Sequence, residues 1–288
     1  MKLSLGTVQF GMNYGISNKA GKVSKIEAKS MLDSAFSAGI NLLDTAMSYG
    51  NSEKYIGELG TQKFNIITKL PPCPLDCVNV DDWIIEQLKN SLKTQKRNSI
   101  YGLLLHKPSQ LLETRGRDIY HSMEKVKKLG LVYKIGISIY SPKELDYILD
   151  QYLLDIVQCP FNLVDRRLYT SGWMDRLKEL GIEIHTRSPF LQGLLLMSHK
   201  DMNAKFPIWS EIWDKWHVWL KNSDVSAIQA CLSFPLSFRN VDRVVFGANS
   251  LIELNEIILA SKIKTEFNFP QISCEEETLI NPSNWLTN

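Results

Sequence analysis

Four polar residues stand at or just after the ends of apolar runs. Asp44 lies at the end of INLLDT, and Tyr49 follows five residues on, in NLLDTAMSYGNSE. Lys69 lies near the end of FNIITKL, and His106 closes IYGLLLH. Taken singly, each has an ordinary explanation. A strand-terminal Asp caps a loop, a Lys snorkels to water, a lone His is structural and a loop Tyr is surface. Taken together they suit one reaction. Free tyrosine has a pKa near ~10 and is a poor proton donor at neutral pH. A neighbouring ammonium stabilises the phenolate and lowers that value. Lys69 would supply the cation, Asp44 would hold Lys69 charged and oriented, and His106 would hydrogen-bond a substrate oxygen. Such a set makes a general acid for a carbonyl becoming an alcohol. The hydride must then come from a cofactor.

The elements that would bring these residues together are legible in the apolar pattern. Eight short runs rich in Ile, Val and Leu read as strands: 3–10, 40–45, 64–70, 100–106, 132–138, 154–158, 182–188 and 242–247. Their near-continuous apolar character fits strands buried on both faces, as in a parallel sheet. Helical stretches alternate with them, at 24–38, 81–95, 118–129, 142–150, 173–180, 224–233 and 250–262. The first opens at Ser24 with Glu27 three places on, the pattern of a capping box. Ile26, Met31, Leu32, Ala35 and Phe36 follow at helical spacing, and Gly39 closes it. Strand-helix units repeated to a count of eight specify a (β/α)8 TIM barrel, an α/β fold, rather than two open sheets. In such a barrel the strand C-termini form one mouth, where the four residues would meet. Other polar residues at those strand ends are Ser138, Gln158, Arg187 and Ser188.

No linker-like stretch divides the chain, so residues 1–288 read as a single domain. Two segments fall outside the repeat. Residues 194–222 insert after the seventh strand and carry Trp209, Trp213, Trp216 and Trp219 at helical spacing. They form either an aromatic wall beside a pocket or a helix packed on the barrel exterior, and the spacing favours the second. The tail, about 264–288, is polar and irregular, a lid or a trailing arm.

Bulk properties exclude several classes. The 288 residues are 44% hydrophobic and 22% charged, with a net charge of +2, which gives no electrostatic case for nucleic acid or an anionic membrane. No run is long enough for a membrane span, and MKLSLGTVQFG meets glycine too early for a signal peptide. Five cysteines, with no export signal, are expected as reduced thiols in the cytoplasm. Cys73 and Cys77 lack the partners of a zinc site, and no metal is expected.

GINLLDTAMSYGNSEKYIGE resembles the diagnostic segment of the aldo-keto reductase family, which reads G-x-x-x-x-D-T-A-x-x-Y-G-x-S-E. The resemblance continues through NIITKL, LLLH, KIGISIY, DIVQCPFNLVDRR, RSPFLQGLL and VVFGANSLIELNEI, in order and over nearly the whole chain. It implies a barrel that binds NADPH or NADH at the strand C-termini without a Rossmann domain. It also places the family's catalytic Asp, Tyr, Lys and His on Asp44, Tyr49, Lys69 and His106.

Cofactor positions follow from the same resemblance. Gly6 and Thr7 match the first-strand turn along the nicotinamide ribose, near Asp44. Ser138 and Gln158 match residues that bond the nicotinamide carboxamide; the asparagine that usually follows the serine is Ile139 here. Arg187 stands where the family has a Tyr that stacks on the ring, so its guanidinium would stack or meet a phosphate. Ser188, Phe190 and Gly193 would follow the pyrophosphate. Gly247, Ala248, Asn249, Ser250, Glu253 and Glu256 form the eighth strand-to-helix junction. Relatives that prefer NADPH place Lys and Arg there, at the positions of Gly247 and Glu253. Family habit favours NADPH, and the replaced cations leave NADH open.

Three functions fit to different degrees. The leading one is NAD(P)H-dependent reduction of an aldehyde or ketone, a small sugar-derived carbonyl by analogy with bacterial polysaccharide pathways, by a monomer or small homo-oligomer. An NAD(P)H-sensing regulatory subunit is the second. A Schiff-base aldolase using Lys69 is the third, disfavoured because Asp44 would keep that lysine charged.

Overall fold

The computed structural model describes residues 1–263 and 267–285. Eight parallel strands close in chain order into one barrel. They are β1 (Leu3–Gly6), β2 (Leu42–Asp44), β3 (Asn65–Leu70), β4 (Ile100–Leu105), β5 (Val132–Ser138), β6 (Ile156–Pro160), β7 (Glu183–Arg187) and β8 (Arg243–Phe246). β1 closes the ring, pairing with β2 through Gly6 and Asp44 and with β8 through Leu3 and Val244. The expected (β/α)8 fold is present.

Two apolar populations sort the strand residues. Most of the core lies between strands and outer helices. A separate buried cluster joins Leu42, Ile67, Leu104 and Ile156, from β2, β3, β4 and β6. Side chains alternate faces along a strand with period 2. Two residues beyond these four stand Asp44, Lys69, His106 and Gln158, so the polar set continues the same face toward the mouth. Gly102 and Gly136 open room in this layer: a Cβ on Gly102 would lie 3.1 Å from the Ile67 and Ile156 side chains.

The structure corrects several boundaries. β1 ends at Gly6, and Val8–Gly11 is a helical turn instead of the strand's continuation to Phe10. The Thr7 amide donates to the Asp44 carbonyl at 2.9 Å, after which the chain turns away. The helix Lys25–Ser37 buries Ala28, Met31, Leu32 and Ala35. Ile26 and Phe36 lie off that stripe and are exposed. Ser24 Oγ accepts from the Glu27 amide at 3.2 Å, but no capping box forms. Glu27 Oε1 instead accepts from the Leu251 amide at 2.6 Å. The stretch read as a helix over 142–150 is a 3-10 turn, Pro142–Glu144, followed by Leu145–Ile148. That over 224–233 is Ala227–Ser237, opened by a capping box between Ser226 and Gln229.

The 194–222 segment folds mainly as His199–Lys205 and Ser210–Ser223. Trp213 and Trp216 are fully buried and donate to the Phe206 and Leu195 carbonyls at 3.0 and 3.2 Å. The exterior-packing alternative is the one observed. Of the tail expected over about 264–288, residues 264–266 and 286–288 lie outside the described residues. Residues 267–285 pack as an arm: Asn268 O accepts from Trp219 Nε1 at 2.9 Å, and the Cys274 amide donates to Val164 O at 2.8 Å. Among the described residues, none of this arm lines the central cavity. No helix is long and apolar enough to cross a membrane, among the described residues.

Candidate active site

The polar layer is built on adjacent strands. Asp44 and Lys69 are 4% and 1% exposed. Lys69 Nζ donates to Asp44 Oδ1 at 2.5 Å and to the Thr45 carbonyl at 3.0 Å. Gln158 Nε2 donates to Asp44 Oδ2 at 2.6 Å, and Ser138 Oγ to Gln158 Oε1 at 3.4 Å. One carboxylate thus gathers β2, β3 and β6, and Gln158 links it on to β5. A buried ion needs such a complete set of partners, because desolvation otherwise exceeds the Coulombic gain.

Tyr49 comes from the loop after β2, and its place is fixed by hydroxyls and by two glycines. Ser52 Oγ donates to Thr7 Oγ1 at 2.7 Å, and Thr7 Oγ1 donates to the Asp44 carbonyl at 3.0 Å. Glu53 Oε1 accepts from Thr68, Ser91 and Gln95 at 2.7, 2.7 and 3.0 Å, tying the Ser52–Glu58 helix to β3 and the Val80–Thr94 helix. A Cβ on Gly11 would fall 1.6 Å from the Tyr49 carbonyl oxygen, and one on Gly50 2.6 Å from the Gly11 oxygen. Both glycines are therefore required by close backbone approach.

The Tyr49 ring lies edge-on to His106, with centroids 5.9 Å apart, and Lys69 Nζ is 5.5 Å from its centre. Burial raises the Tyr49 phenol above its ordinary range, and the Asp44 charge adds to this. This reverses the expected lowering by Lys69, whose ammonium is turned toward Asp44 and Thr45. Burial lowers the Lys69 ammonium, with Asp44 opposing. Burial also pushes the His106 imidazole down to about 4, helped by Lys69 and Arg187. His106 is therefore neutral near pH 7 and keeps one N–H for donation.

A cavity of about 380 Å³ opens above this layer. Of the residues expected at a cofactor, Gly6, Thr7, Asp44, Ser138, Gln158, Arg187, Ser188, Phe190, Gly193, Gly247, Asn249, Glu253 and Glu256 line it. Ala248 and Ser250 are not among its lining. Ala248 is buried, and Ser250 Oγ caps the Leu251–Ala260 helix by accepting from the Glu253 amide at 3.1 Å. Ile139 is fully buried. Arg187 reaches its carbonyl at 3.0 Å and lays its guanidinium 4.6 Å from the Tyr140 ring centre.

Several lining residues escaped the sequence reading: Gln9, Tyr14, Tyr140, Gln192 and Ile228. Tyr14 and Gln192 meet across the mouth, where Gln192 Nε2 donates to Tyr14 Oη at 3.2 Å and the Ile16 amide donates to Gln192 O at 3.2 Å. Their pairing spans loops after β1 and β7, which no local pattern links. Gln9 has no local signal either, because LSLGTVQF reads as one strand where the structure has a helical turn at Val8–Gly11.

The cavity fits a nicotinamide dinucleotide. Gly6 and Gly247 leave backbone exposed along its floor, and a Cβ on Gly247 would lie 2.3 Å from the Gln9 amide. Gln9 Oε1 and Asn249 Oδ1 are buried acceptors with no partner among the described residues, a condition a ligand would relieve.

The fold is a closed parallel (β/α)8 barrel, and Asp44, Tyr49, Lys69 and His106 stand together at one end of a cavity that opens at its mouth. The sequence pattern of the Aldo/keto reductase family matches residues 2–271, and the chain belongs to that family. Membership carries NAD(P)H-dependent carbonyl reduction as its general chemistry. Among relatives, the chain is 26% identical over 285 residues to the uncharacterized oxidoreductase YqkF of Bacillus subtilis, covering 91% of this chain and 92% of that protein. It is 26% identical over 207 residues to L-glyceraldehyde 3-phosphate reductase of Escherichia coli, covering 64% of this chain and 59% of the relative. Its fold is similar to that of the aldo-keto reductase AKR11C1 from Bacillus halodurans, at a TM-score of 0.74 and 20% identity over 92% of this chain and 88% of the other.

Proposed function

We propose that this chain reduces a small aldehyde or ketone to an alcohol, with Tyr49 as the proton donor. The observation that carries the reading is the buried Lys69–Asp44 pair beneath Tyr49 and His106, at the floor of a cavity able to hold a dinucleotide. A bound nicotinamide supplies the hydride. The chain's own part is to hold the carbonyl and move the proton. Neutral His106 donates a hydrogen bond to the carbonyl oxygen and fixes its position beside the Tyr49 hydroxyl. The phenol keeps its proton until negative charge develops on that oxygen, and then passes it over. The cationic side chains at this end, Arg187 and the Lys69 ammonium 5.5 Å from the ring centre, offset the phenolate charge left behind, while Gln158 holds the Asp44 carboxylate that anchors Lys69.

The carbonyl we infer is small, polar and sugar-derived. One relative is named for reducing L-glyceraldehyde 3-phosphate, a hydroxylated aldehyde, and the cavity offers Tyr14, Tyr140 and Gln192 beside Tyr49 and His106 as hydrogen-bonding walls. The residues expected at the cofactor and lining the cavity would hold the dinucleotide, with Gly6 and Gln158 at the reacting end. Calorimetric titration with NADH and NADPH, followed by turnover against a panel of hydroxylated aldehydes and ketones, tests the reading. We expect at least one dinucleotide to bind and be oxidised by a carbonyl. If neither binds, the reductase reading fails. Binding without turnover across the panel would favour a cofactor-sensing subunit.

A further inference from the structure

The cavity has two electrostatically different ends. Its two cationic side chains among the described residues, Lys69 and Arg187, both stand at the Tyr49 end. From there the cavity passes Gly6 and Gln9 and reaches Gly247, Asn249, Glu253, Glu256 and Ile257, beside the start of the Leu251–Ala260 helix. That far end has carboxylates and amides but no Lys or Arg among the described residues.

A helix start normally offers free amides to an anion. Here the chain's own side chains take three of them, two by carboxylates. The Asn249 amide donates to Glu253 Oε2 at 2.7 Å, and Asn249 Nδ2 donates to the same oxygen at 3.0 Å. The Leu251 amide donates to Glu27 Oε1 at 2.6 Å, across from the Lys25–Ser37 helix. The Glu253 amide is held by Ser250 Oγ. A phosphate brought to this place would meet the Glu253 and Glu256 carboxylates that line the cavity, with Glu27 behind them on the Leu251 amide, and would find three amides engaged. The unpaired buried atoms near it, Gln9 Oε1 and Asn249 Oδ1, are acceptors. They suit hydroxyl and amino donors and oppose phosphate oxygens.

We propose that Glu27 and Glu253 make this a site for NADH rather than NADPH. The inference rests on the nicotinamide reading above, since a nicotinamide at Tyr49 sends the adenosine half toward this helix. The two dinucleotides differ only in the phosphate on the adenosine ribose. The carboxylates repel that group and hold the amides it needs, whereas an unmodified ribose offers hydroxyl donors to the same acceptors.

Calorimetry on the whole chain, with NADH and NADPH titrated separately at low and high salt, tests this without reference to turnover. We expect the wild-type chain to bind NADH at least about tenfold more tightly, with the ratio narrowing at high salt as the carboxylates are screened. Glu27→Gln and Glu253→Gln should each narrow it several-fold, chiefly by strengthening NADPH, and Glu253→Lys should bring it to parity or reverse it. Equal or tighter NADPH binding by the wild-type chain overturns the proposal, whatever the variants do and whether or not they fold. If NADH binds and NADPH does not, the proposal stands in its strongest form. If neither binds, the reductase reading itself falls, and this one with it.

Discussion

Lys69 Nζ sits 2.5 Å from Asp44 Oδ1 with both side chains sealed from water. The ammonium and carboxylate come from neighbouring strands, two residues above an apolar plug. Removing one partner of such a pair leaves a bare buried charge, at a cost of about 3–5 kcal/mol. We expect Asp44→Ala to lose stability of that order in urea unfolding, with loss of turnover. The double variant Asp44→Ala/Lys69→Met should be more stable than Asp44→Ala alone. If the double variant is less stable, the pair is not the source of the loss.

The His106 imidazole gives a pH signature. Its folded pKa, about 4, lies below the ordinary value of 6.5. As pH falls through this window the unfolded chain takes up the proton first, so stability is full above about 6.5 and declines toward 4. The loss attributable to this group is roughly 2–3 kcal/mol. Unfolding free energies measured across that range should show this slope, and His106→Asn should reduce it. An unchanged slope in the variant would assign the decline to other groups.

Gly11 and Gly50 place the Tyr49 loop by contact of backbone on backbone. Gly11→Ala forces the Tyr49 carbonyl to move, since the added carbon would lie 1.6 Å from it. We expect kcat to fall more than about tenfold, because small displacements of a reacting group are costly. Dinucleotide affinity should change less than about threefold, and stability should fall by about 1–3 kcal/mol. Steady-state kinetics alongside calorimetry check the split. An equal loss in binding would show that the glycine serves the whole cavity rather than the tyrosine.

Much of this was legible in the residues alone. Apolar runs with period-2 faces are local, so the strand ends at Asp44, Lys69 and His106 followed directly. What escaped depends on contacts distant in sequence. LSLGTVQF alternates well enough to pass for a longer strand, and only the Thr7–Asp44 backbone bond shows where it turns. Glu27 has the spacing of a local cap, yet Leu251, far along the chain, offers it a free helix amide. The charge of Lys69 is visible in the residue types and points to an acidified Tyr49, whereas burial, which is not visible there, raises the phenol instead. The buried stripe of Ala28, Met31, Leu32 and Ala35 is periodic, while the exposed Ile26 and Phe36 show that apolar identity alone does not assign a face.

Trp213 is a packing residue on the barrel exterior, fully buried with its indole N–H satisfied by Phe206 O. Trp213→Ala should cost about 3–5 kcal/mol through the cavity it leaves. Dinucleotide affinity of the folded protein should stay within about twofold, as for sites without shared partners. Thermal unfolding and calorimetry on the same sample read both. A large loss of affinity in a folded variant would place this indole in contact with the site.

The claim at the centre is that the Tyr49 hydroxyl delivers the proton. Tyr49→Phe keeps the ring, its edge-on contact with His106 and its place over Lys69, and removes only that hydroxyl. Single-turnover reduction should be followed in this variant with dinucleotide and carbonyl both saturating, beside calorimetric Kd values for the dinucleotide. We expect the rate to fall by about 10²–10⁴-fold, with Kd changed less than about threefold. A rate within about tenfold of wild type would contradict Tyr49 as the acid and send the proton's source elsewhere in the cavity.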